Sequence, residues 1–248
     1  MSKNLGNDKI SKLLLDMSIP AILSMLVAAI YNIVDRIFIG RINPLGLTAI
    51  GITMPFQVVQ MAFILLIGVG GSTLISIKYG EKKYDSAEKI LYNSLVLIII
   101  SELIISLVCI IFMDPIFDLM GVSKDVYGYA KDYIWIILIG GVPGLTGYCL
   151  NNSVRSLGHA KESMIIVMVS SILNIILDAL FIFVFKWGVR GAAIATVISQ
   201  TMVTVFVLYF FIKAEDIPIK FRKKNASFDL KAVWEIFQNG LPNFYMNL

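Results

Sequence analysis

The chain has 248 residues, of which 58% are hydrophobic and 15% are charged, and its formal net charge is +4. Soluble globular chains are about 45–50% apolar and about 25% charged, so this composition excludes an ordinary soluble domain. The basic residues are dispersed along the chain and His159 is the single histidine, which argues against a nucleic-acid-binding patch and a histidine metal cluster.

Six apolar segments are long enough to cross a bilayer as helices. They predict an all-α polytopic membrane protein, with one six-helix lobe over about residues 1–212. The predicted transmembrane helices span about 13–39, 47–77, 90–113, 127–151, 163–186 and 191–212. Pro20 lies near the start of the first helix, where it removes a backbone hydrogen bond and is expected to bend the helix. The fourth helix is rich in glycine, which favours close packing against its neighbours.

The distribution of lysine and arginine predicts the orientation of these helices. With the N-terminus in the cytoplasm, 15 of the 21 basic residues fall on the inner side of the membrane. Inner loops carry such an excess in most membrane proteins. The polar first twelve residues and the long apolar segment after them are unlike a cleavable signal peptide, so the first helix is expected to direct insertion.

The end of the chain repeats a pattern found near its start. Residues 213–231 form a polar, basic segment that is expected to be a cytoplasmic linker, and residues 232–248 are again apolar. Residues 236–243 match 14–21 in pattern: two apolar residues, three short or polar ones, an aliphatic residue and proline. After six helices this match favours the start of a second repeat, as in transporters built from two parallel halves, over a surface helix. We therefore expect a fragment that stops within a seventh helix, rather than a lobe that assembles with a second copy.

The fifth predicted helix contains one carboxylate, Asp178. A charged side chain at the bilayer centre costs roughly 2.5–3.5 kcal/mol on insertion scales, so an acid there indicates a functional site. Asn174 lies four residues earlier and therefore on the same helix face. The amide and the carboxylate together offer oxygen ligands suited to a hard cation or a proton.

Polar residues of three further helices lie at a similar depth. At the rise of an α-helix, Asp35 lies about 7 Å, Thr196 and Tyr133 about 9 Å, and Asp178 about 12 Å below the outer membrane surface. Two carboxylates in apolar surroundings disfavour a doubly charged state, so one of them is suited to exchange a proton. Alternatively, Na⁺ would bind at Asp35, Asn174 and Asp178.

Each of these residues also has a purely structural interpretation. Asp35 would pair with one of the arginines that follow it, and Asp178 would have a structural role only. Asn174 would join two helices by a hydrogen bond. Thr196 would bond back to a carbonyl of its own helix, and Tyr133 would belong to the aromatic belt at the interface.

Three other polar residues are candidates for lining a substrate cavity. Glu102 lies near the middle of the third helix with no evident partner, and it would either face a wet cavity and help to bind a cationic substrate or pair locally. Gln57 and Gln60 in the second helix are candidate cavity-lining groups. No nucleophile–base pair, metal cluster or phosphate-binding loop stands out, so the sequence indicates neither an enzyme nor a cofactor beyond a coupling ion.

Four motifs resemble a known family of transporters. Residues 18–42 read SIPAILSMLVAAIYNIVDRIFIGRI, 151–161 read NNSVRSLGHAK, 173–183 read LNIILDALFIF and 188–200 read GVRGAAIATVISQ. In this order they resemble the multidrug and toxic compound extrusion (MATE) transporters, in particular the bacterial DinF-like and MepA-like branch. The family has twelve helices in two six-helix lobes, so the resemblance implies an N-terminal lobe plus the start of the seventh helix.

The resemblance also implies an activity and a site. It implies H⁺- or Na⁺-coupled antiport that exports organic, often cationic, drugs or toxic compounds across the bacterial plasma membrane. Its implied partners are these small molecules, the lipid bilayer and the missing C-terminal lobe of the same protein, with no nucleic acid. The cation site of the family's N-terminal lobe matches Asp35, Tyr133, Asn174, Asp178 and Thr196. A proline whose bending accompanies proton binding matches Pro20.

Two other functions stay open at this point. A flippase for lipid-linked oligosaccharides or polysaccharides belongs to the same superfamily, but its cleft would need several cationic residues for polyprenyl-phosphate cargo, whereas the interior charges here are acidic. A membrane scaffold that transports nothing would not need two acids at one depth.

Overall fold

The computed structural model describes residues 10–214 and 217–247, nearly all of them helical, with no strand in these ranges. This confirms the predicted fold class. The described α-helices are, in chain order, α1 (Ile10–Ile42), α2 (Pro44–Gly80), α3 (Tyr84–Ile111), α4 (Met113–Leu119), α5 (Lys124–Ser156), α6 (Ala160–Asp178), α7 (Gly188–Lys213) and α8 (Leu230–Asn247). A π-helical turn, Ala179–Val184, extends α6, and a 3₁₀ turn, Lys223–Asn225, precedes α8.

Within the described ranges, six helices are long and apolar enough to cross a membrane: α1, α2, α3, α5, α6 with its π turn, and α7. Most of them extend a few residues beyond the sequence-based bounds, because polar interfacial residues continue or cap a helix. At the start of α2, for example, the Asn43 side chain accepts a hydrogen bond from the backbone N–H of Leu45 at 2.9 Å. Pro44 occupies the first helical position, where its missing N–H costs nothing. In α1 the helix continues through Pro20 without a break.

A short helix, α4, lies between the third and fourth spans, in a segment that the sequence predicts as a loop. Its Asp114 accepts hydrogen bonds from the Tyr127 hydroxyl and from Lys131 Nζ, both on α5. These donors stabilise the carboxylate and hold the pKa of Asp114 below its usual range. The cluster links α4 to the N-terminal end of α5.

α5 is the central helix of the lobe and packs against α2, α3 and α7. Its glycines make this possible, because a Cβ at Gly147 would lie 2.3 Å from the backbone nitrogen of Thr204 on α7. The Thr204 hydroxyl uses the close approach to accept a hydrogen bond from Gly147 N–H at 2.7 Å. The expectation that these glycines allow close helix packing agrees with this geometry.

α8 packs against α2 rather than standing apart from the lobe. The two backbones meet at Gly70 and Gly240, where a Cβ would lie 2.2 Å from the carbonyl oxygen of Ile236 and 1.8 Å from that of Leu66, respectively. Each glycine therefore leaves space for the other helix.

The buried apolar residues form two clusters. The first cluster includes residues of the C-terminal half of α7 and of α8. The second cluster includes Tyr133 and other residues of the N-terminal half of α5. Ile64 of the first cluster and Ile137 of the second line the same cavity. The candidate site therefore lies where the two clusters meet.

Candidate functional site

A cavity of about 310 Å³ lies between α1, α2, α5 and α7. α1 contributes Asp35, α5 contributes Tyr133 and α7 contributes Thr196, so three residues selected from the sequence line one space. Asp35 is the only charged residue among the described ones that line it.

Asn174 and Asp178 lie on α6, next to the cavity but more deeply buried. Asn174 is 2% exposed and Asp178 is 0% exposed. None of the four terminal N and O atoms of the two side chains has a hydrogen-bond partner among the described residues, and Oδ1 of Asp35 has none either. Buried polar groups are nearly always satisfied in proteins, so a concentration of unpaired oxygens in one region indicates a place for a ligand.

A second, much smaller cavity of about 10 Å³ connects Asn174 with Thr196. Its lining includes Ser199 and Tyr148, and every lining residue is polar or a tyrosine. A volume of this order is close to the least that holds one water molecule. This space between α6 and α7 is therefore large enough for one water-sized species.

The two acids lie within range of direct electrostatic interaction with each other. Tyr133 interacts electrostatically with both of them. With Thr196 and Asn174 lining a common small cavity, the five predicted site residues from α1, α5, α6 and α7 are brought into one region. The depth argument therefore agrees with their placement, while their role in cation binding stays a prediction.

The structural interpretations of three of these residues are not favoured by the geometry. Within the described structure neither Arg36 nor Arg41 forms an ion pair with Asp35, although Arg36 interacts with it at longer range. Tyr133 is 4% exposed, so it does not face lipid as an aromatic belt residue would. Thr201 donates a hydrogen bond to the carbonyl of Val197 in its own helix at 2.7 Å, but Thr196 makes no such bond within the described structure.

The arrangement suits proton or Na⁺ chemistry. Two carboxylates in a low-dielectric interior cannot both carry a charge cheaply, so they either share a proton or neutralise a cation between them. Carboxylate, amide and hydroxyl oxygens are the ligands that hard cations prefer. Asp35, Asn174, Asp178 and Thr196 supply all three kinds.

The three candidate cavity residues divide into two groups. Gln57 and Gln60 line the larger cavity, as expected. Glu102 does not line it and is 0% exposed. It also has a partner that the sequence did not indicate, because Gln60 Nε2 donates a hydrogen bond to its Oε2 at 2.9 Å. The pairing depends on how α2 and α3 are rotated about their axes, which helix periodicity alone does not determine.

Several residues of the site were not singled out from the sequence. Tyr31 and Gln200 line both cavities. Each lies four residues from a predicted site residue, Tyr31 from Asp35 and Gln200 from Thr196, and residues at this spacing share a helix face. The same rule that linked Asn174 to Asp178 would have found both.

A helical membrane lobe with buried, unpaired carboxylates beside a polar cavity is typical of one class of protein, the membrane transporters. Comparison with known families then gives the particular one. The MatE family model matches residues 20–180, and the chain belongs to this family.

The multidrug export protein MepA of Staphylococcus haemolyticus is 33% identical to this chain over 242 residues. The match covers 96% of this chain but 52% of that protein. The chain therefore spans about half the length of this curated relative. This share is the one expected for an N-terminal lobe.

Solved structures show the same fold. A multidrug resistance MATE family transporter of the MOP superfamily, in an outward-facing conformation, superposes with a TM-score of 0.89 at 28% identity and covers 95% of this chain and 52% of that one. A MOP superfamily transporter from Pyrococcus furiosus, described as having a binding pocket of reverse polarity that suggests a different function, gives the same TM-score, identity and coverage.

Proposed function

We propose that this chain is the N-terminal lobe of a cation-coupled antiporter that exports organic, often cationic, compounds across the bacterial plasma membrane. H⁺ or Na⁺ binds at Asp35, Asn174 and Asp178, with Tyr133 and Thr196 completing the site. The substrate occupies the neighbouring cavity. A C-terminal lobe of the same protein forms the other wall of the transport path, and the N-terminus lies in the cytoplasm.

The observation that supports this proposal best is the adjacency of the unpaired acids to the cavity. Asp178 and Asn174 are buried with no hydrogen-bond partner for their terminal atoms among the described residues. Asp35, which interacts with Asp178, also lines the cavity. A cation bound at the acids therefore changes the charge that a substrate in the cavity meets.

The charge of the cavity favours organic cations over anionic lipid-linked cargo. Of its described lining residues Asp35 is acidic and none is lysine or arginine. A polyprenyl-phosphate head group would need positive side chains to replace its lost hydration. A flippase is therefore the weaker proposal.

The packing of α1 supports a movement of this helix during the cycle. Within the most apolar window of its span, 11% of the residues are buried, compared with 61% in α2 and α5. Its main packing contact is with α6, so most of the lobe does not have to rearrange for it to move. Pro20 is the position where we expect the helix to bend during this movement, since a proline ring cannot donate a backbone hydrogen bond.

The test uses the protein as its gene encodes it, including any sequence beyond residue 248, in everted membrane vesicles. The lumen of such vesicles corresponds to the outside of the cell, so extrusion is measured as ethidium uptake into the vesicles under an imposed H⁺ or Na⁺ gradient. We expect gradient-driven extrusion by the unaltered protein and a loss of at least about a hundredfold with Asp178→Asn, because the neutral amide cannot release a proton or neutralise Na⁺.

The matched control is Asp118→Asn, since Asp118 is exposed on α4 and takes no part in the site. It should transport at the unaltered rate, and both variants should reach the membrane in equal amounts. Undiminished extrusion with Asp178→Asn contradicts the coupling role of the acid. Absence of extrusion by the unaltered protein under either gradient contradicts the proposed function.

A further inference from the structure

Glu102 is a buried acid separate from the cation site. It lies within α3, is 0% exposed, and accepts one hydrogen bond, from Gln60 Nε2 at 2.9 Å. Its other oxygen, Oε1, has no hydrogen-bond partner among the described residues. One neutral donor is little compensation for a full negative charge at this depth.

The surroundings of Glu102 offer no counter-ion. Within the described structure no ion pair involves it, and the titratable groups that interact with it are the thiols of Cys109 on α3 and Cys149 on α5. The nearby Ser106 hydroxyl donates to the carbonyl of Leu138 at 2.8 Å. A carboxyl group in such a place is stable when it holds a proton and costly when it does not.

The fold makes room for this pair of side chains. A Cβ on Gly141 of α5 would lie 2.8 Å from Gln60 Nε2 and 3.1 Å from Glu102 Oε2. Only a residue without a side chain leaves both groups undisturbed. The three helices α2, α3 and α5 therefore meet around the carboxyl group and its amide partner.

Gln60 connects the buried acid to the transport cavity. It is 2% exposed, yet it lines the same cavity as Asp35. A positive charge in the cavity therefore lies one amide away from Glu102. In a medium of low dielectric constant, a charge at that range changes the balance between the acid and its anion.

We propose that Glu102 is a second proton-accepting site of the lobe and that Gln60 positions its carboxyl group. Glu102 releases its proton when an organic cation enters the cavity. The O–H bond of the carboxylic acid breaks, the proton passes to water, and the remaining anion offsets the charge of the bound cation. This inference rests on the proposed function, since it takes organic cations as the substrates.

The test is infrared difference spectroscopy on the complete protein in lipid, with tetraphenylphosphonium as the probe cation. Addition of the probe should remove a carboxylic-acid C=O band from the spectrum of the unaltered protein. Glu102→Gln should lack this band, while the control Glu162→Gln, at an exposed position on α6, should retain it. Gln60→Leu should move the band to higher frequency, because the Glu102 carbonyl loses its hydrogen-bond donor. This variant reports on Glu102 even if Glu102→Gln fails to fold.

Proton release on probe binding is measured in parallel with a pH-indicator dye. We expect one proton fewer per bound cation with Glu102→Gln than with Glu162→Gln. An unchanged C=O band or unchanged proton release in Glu102→Gln overturns the inference. Failure of the unaltered protein to bind the probe would instead contradict the proposed function, and the band at different pH values would still decide whether Glu102 holds a proton.

Discussion

Thr196 and Thr201 lie on the same helix, α7, but use their hydroxyl groups differently. Thr201 donates to the carbonyl of Val197, a bond that satisfies the hydroxyl within its own helix. Thr196 lines both cavities of the candidate site. Its oxygen is therefore available to a cation, and the two threonines form a natural pair for comparison.

We expect Thr196→Val to weaken coupling without changing the fold. Loss of one neutral oxygen ligand should cost about 1 kcal/mol, which is roughly a fivefold rise in the cation concentration for half-maximal transport. Thr201→Val should leave that concentration unchanged. The measurement is substrate uptake into everted vesicles at a series of Na⁺ or H⁺ concentrations, and equal values for the two variants would exclude Thr196 from the site.

Part of the candidate site can be predicted from the sequence, and part cannot. The depths of Asp35, Tyr133 and Asp178 follow from helix rise and topology, and all three lie close together in the structure. The bond between Gln60 and Glu102 could not be predicted in this way, because residue depth does not determine which way a side chain points around the helix axis. Tyr31 could have been predicted as a site residue, because it lies four residues before Asp35 and therefore on the same helix face.

The end of α6 differs from the helix that the sequence predicts. The sequence predicts one continuous helix over about 163–186, whereas α6 becomes π-helical at Ala179, directly after Asp178. π turns frequently occur at functional sites, since the wider turn frees backbone groups and reorients side chains. Apolar periodicity gives no signal for it, because the residues of the turn are as apolar as those before them.

The contact between α5 and α7 depends on Gly147, and we expect Gly147→Ala to destabilise the lobe. The added Cβ would lie 2.3 Å and 2.4 Å from the backbone N and Cα of Thr204, so one helix has to move. Overpacking of this kind costs about 1–3 kcal/mol or more. The measurement is the thermal unfolding midpoint of the purified protein in detergent.

Gly128 provides the control on the same helix. A Cβ there meets nothing within 4 Å, so Gly128→Ala should raise stability by up to about 1 kcal/mol through helix propensity alone. Opposite shifts of the midpoint for the two variants would show that helix contact, not glycine content, determines the effect. A midpoint unchanged by Gly147→Ala would contradict the close approach of α5 and α7.

The linker between α7 and α8 is attached to the six-helix lobe by both apolar and polar contacts. The sequence predicts a polar connection over 213–231, yet Ile217 and Ile219 are 2% and 0% exposed and belong to the apolar core. Asn93 on α3 accepts a hydrogen bond from the backbone N–H of Asp229 at 3.0 Å, just before α8 begins. The buried isoleucines are short interruptions in a basic segment, which is why composition did not reveal the attachment.

Glu88 on α3 is the main polar anchor of this linker, so Glu88→Ala should release it from the lobe. Its carboxylate accepts bonds from the Lys220 backbone N–H at 3.0 Å and from Asn225 Nδ2 at 2.7 Å, and it pairs with Arg222 at 3.3 Å. Loss of these partners should cost roughly 2 kcal/mol, about a thirtyfold increase in the exposed form of the linker. Trypsin, which cuts after lysine and arginine, should then cleave near Arg222 faster by a similar factor. Glu81→Ala is the control, because Glu81 is half exposed and its described ion pairs are with exposed or partly exposed lysines outside the linker. Equal cleavage rates in the two variants would show that the linker is held by its isoleucines alone.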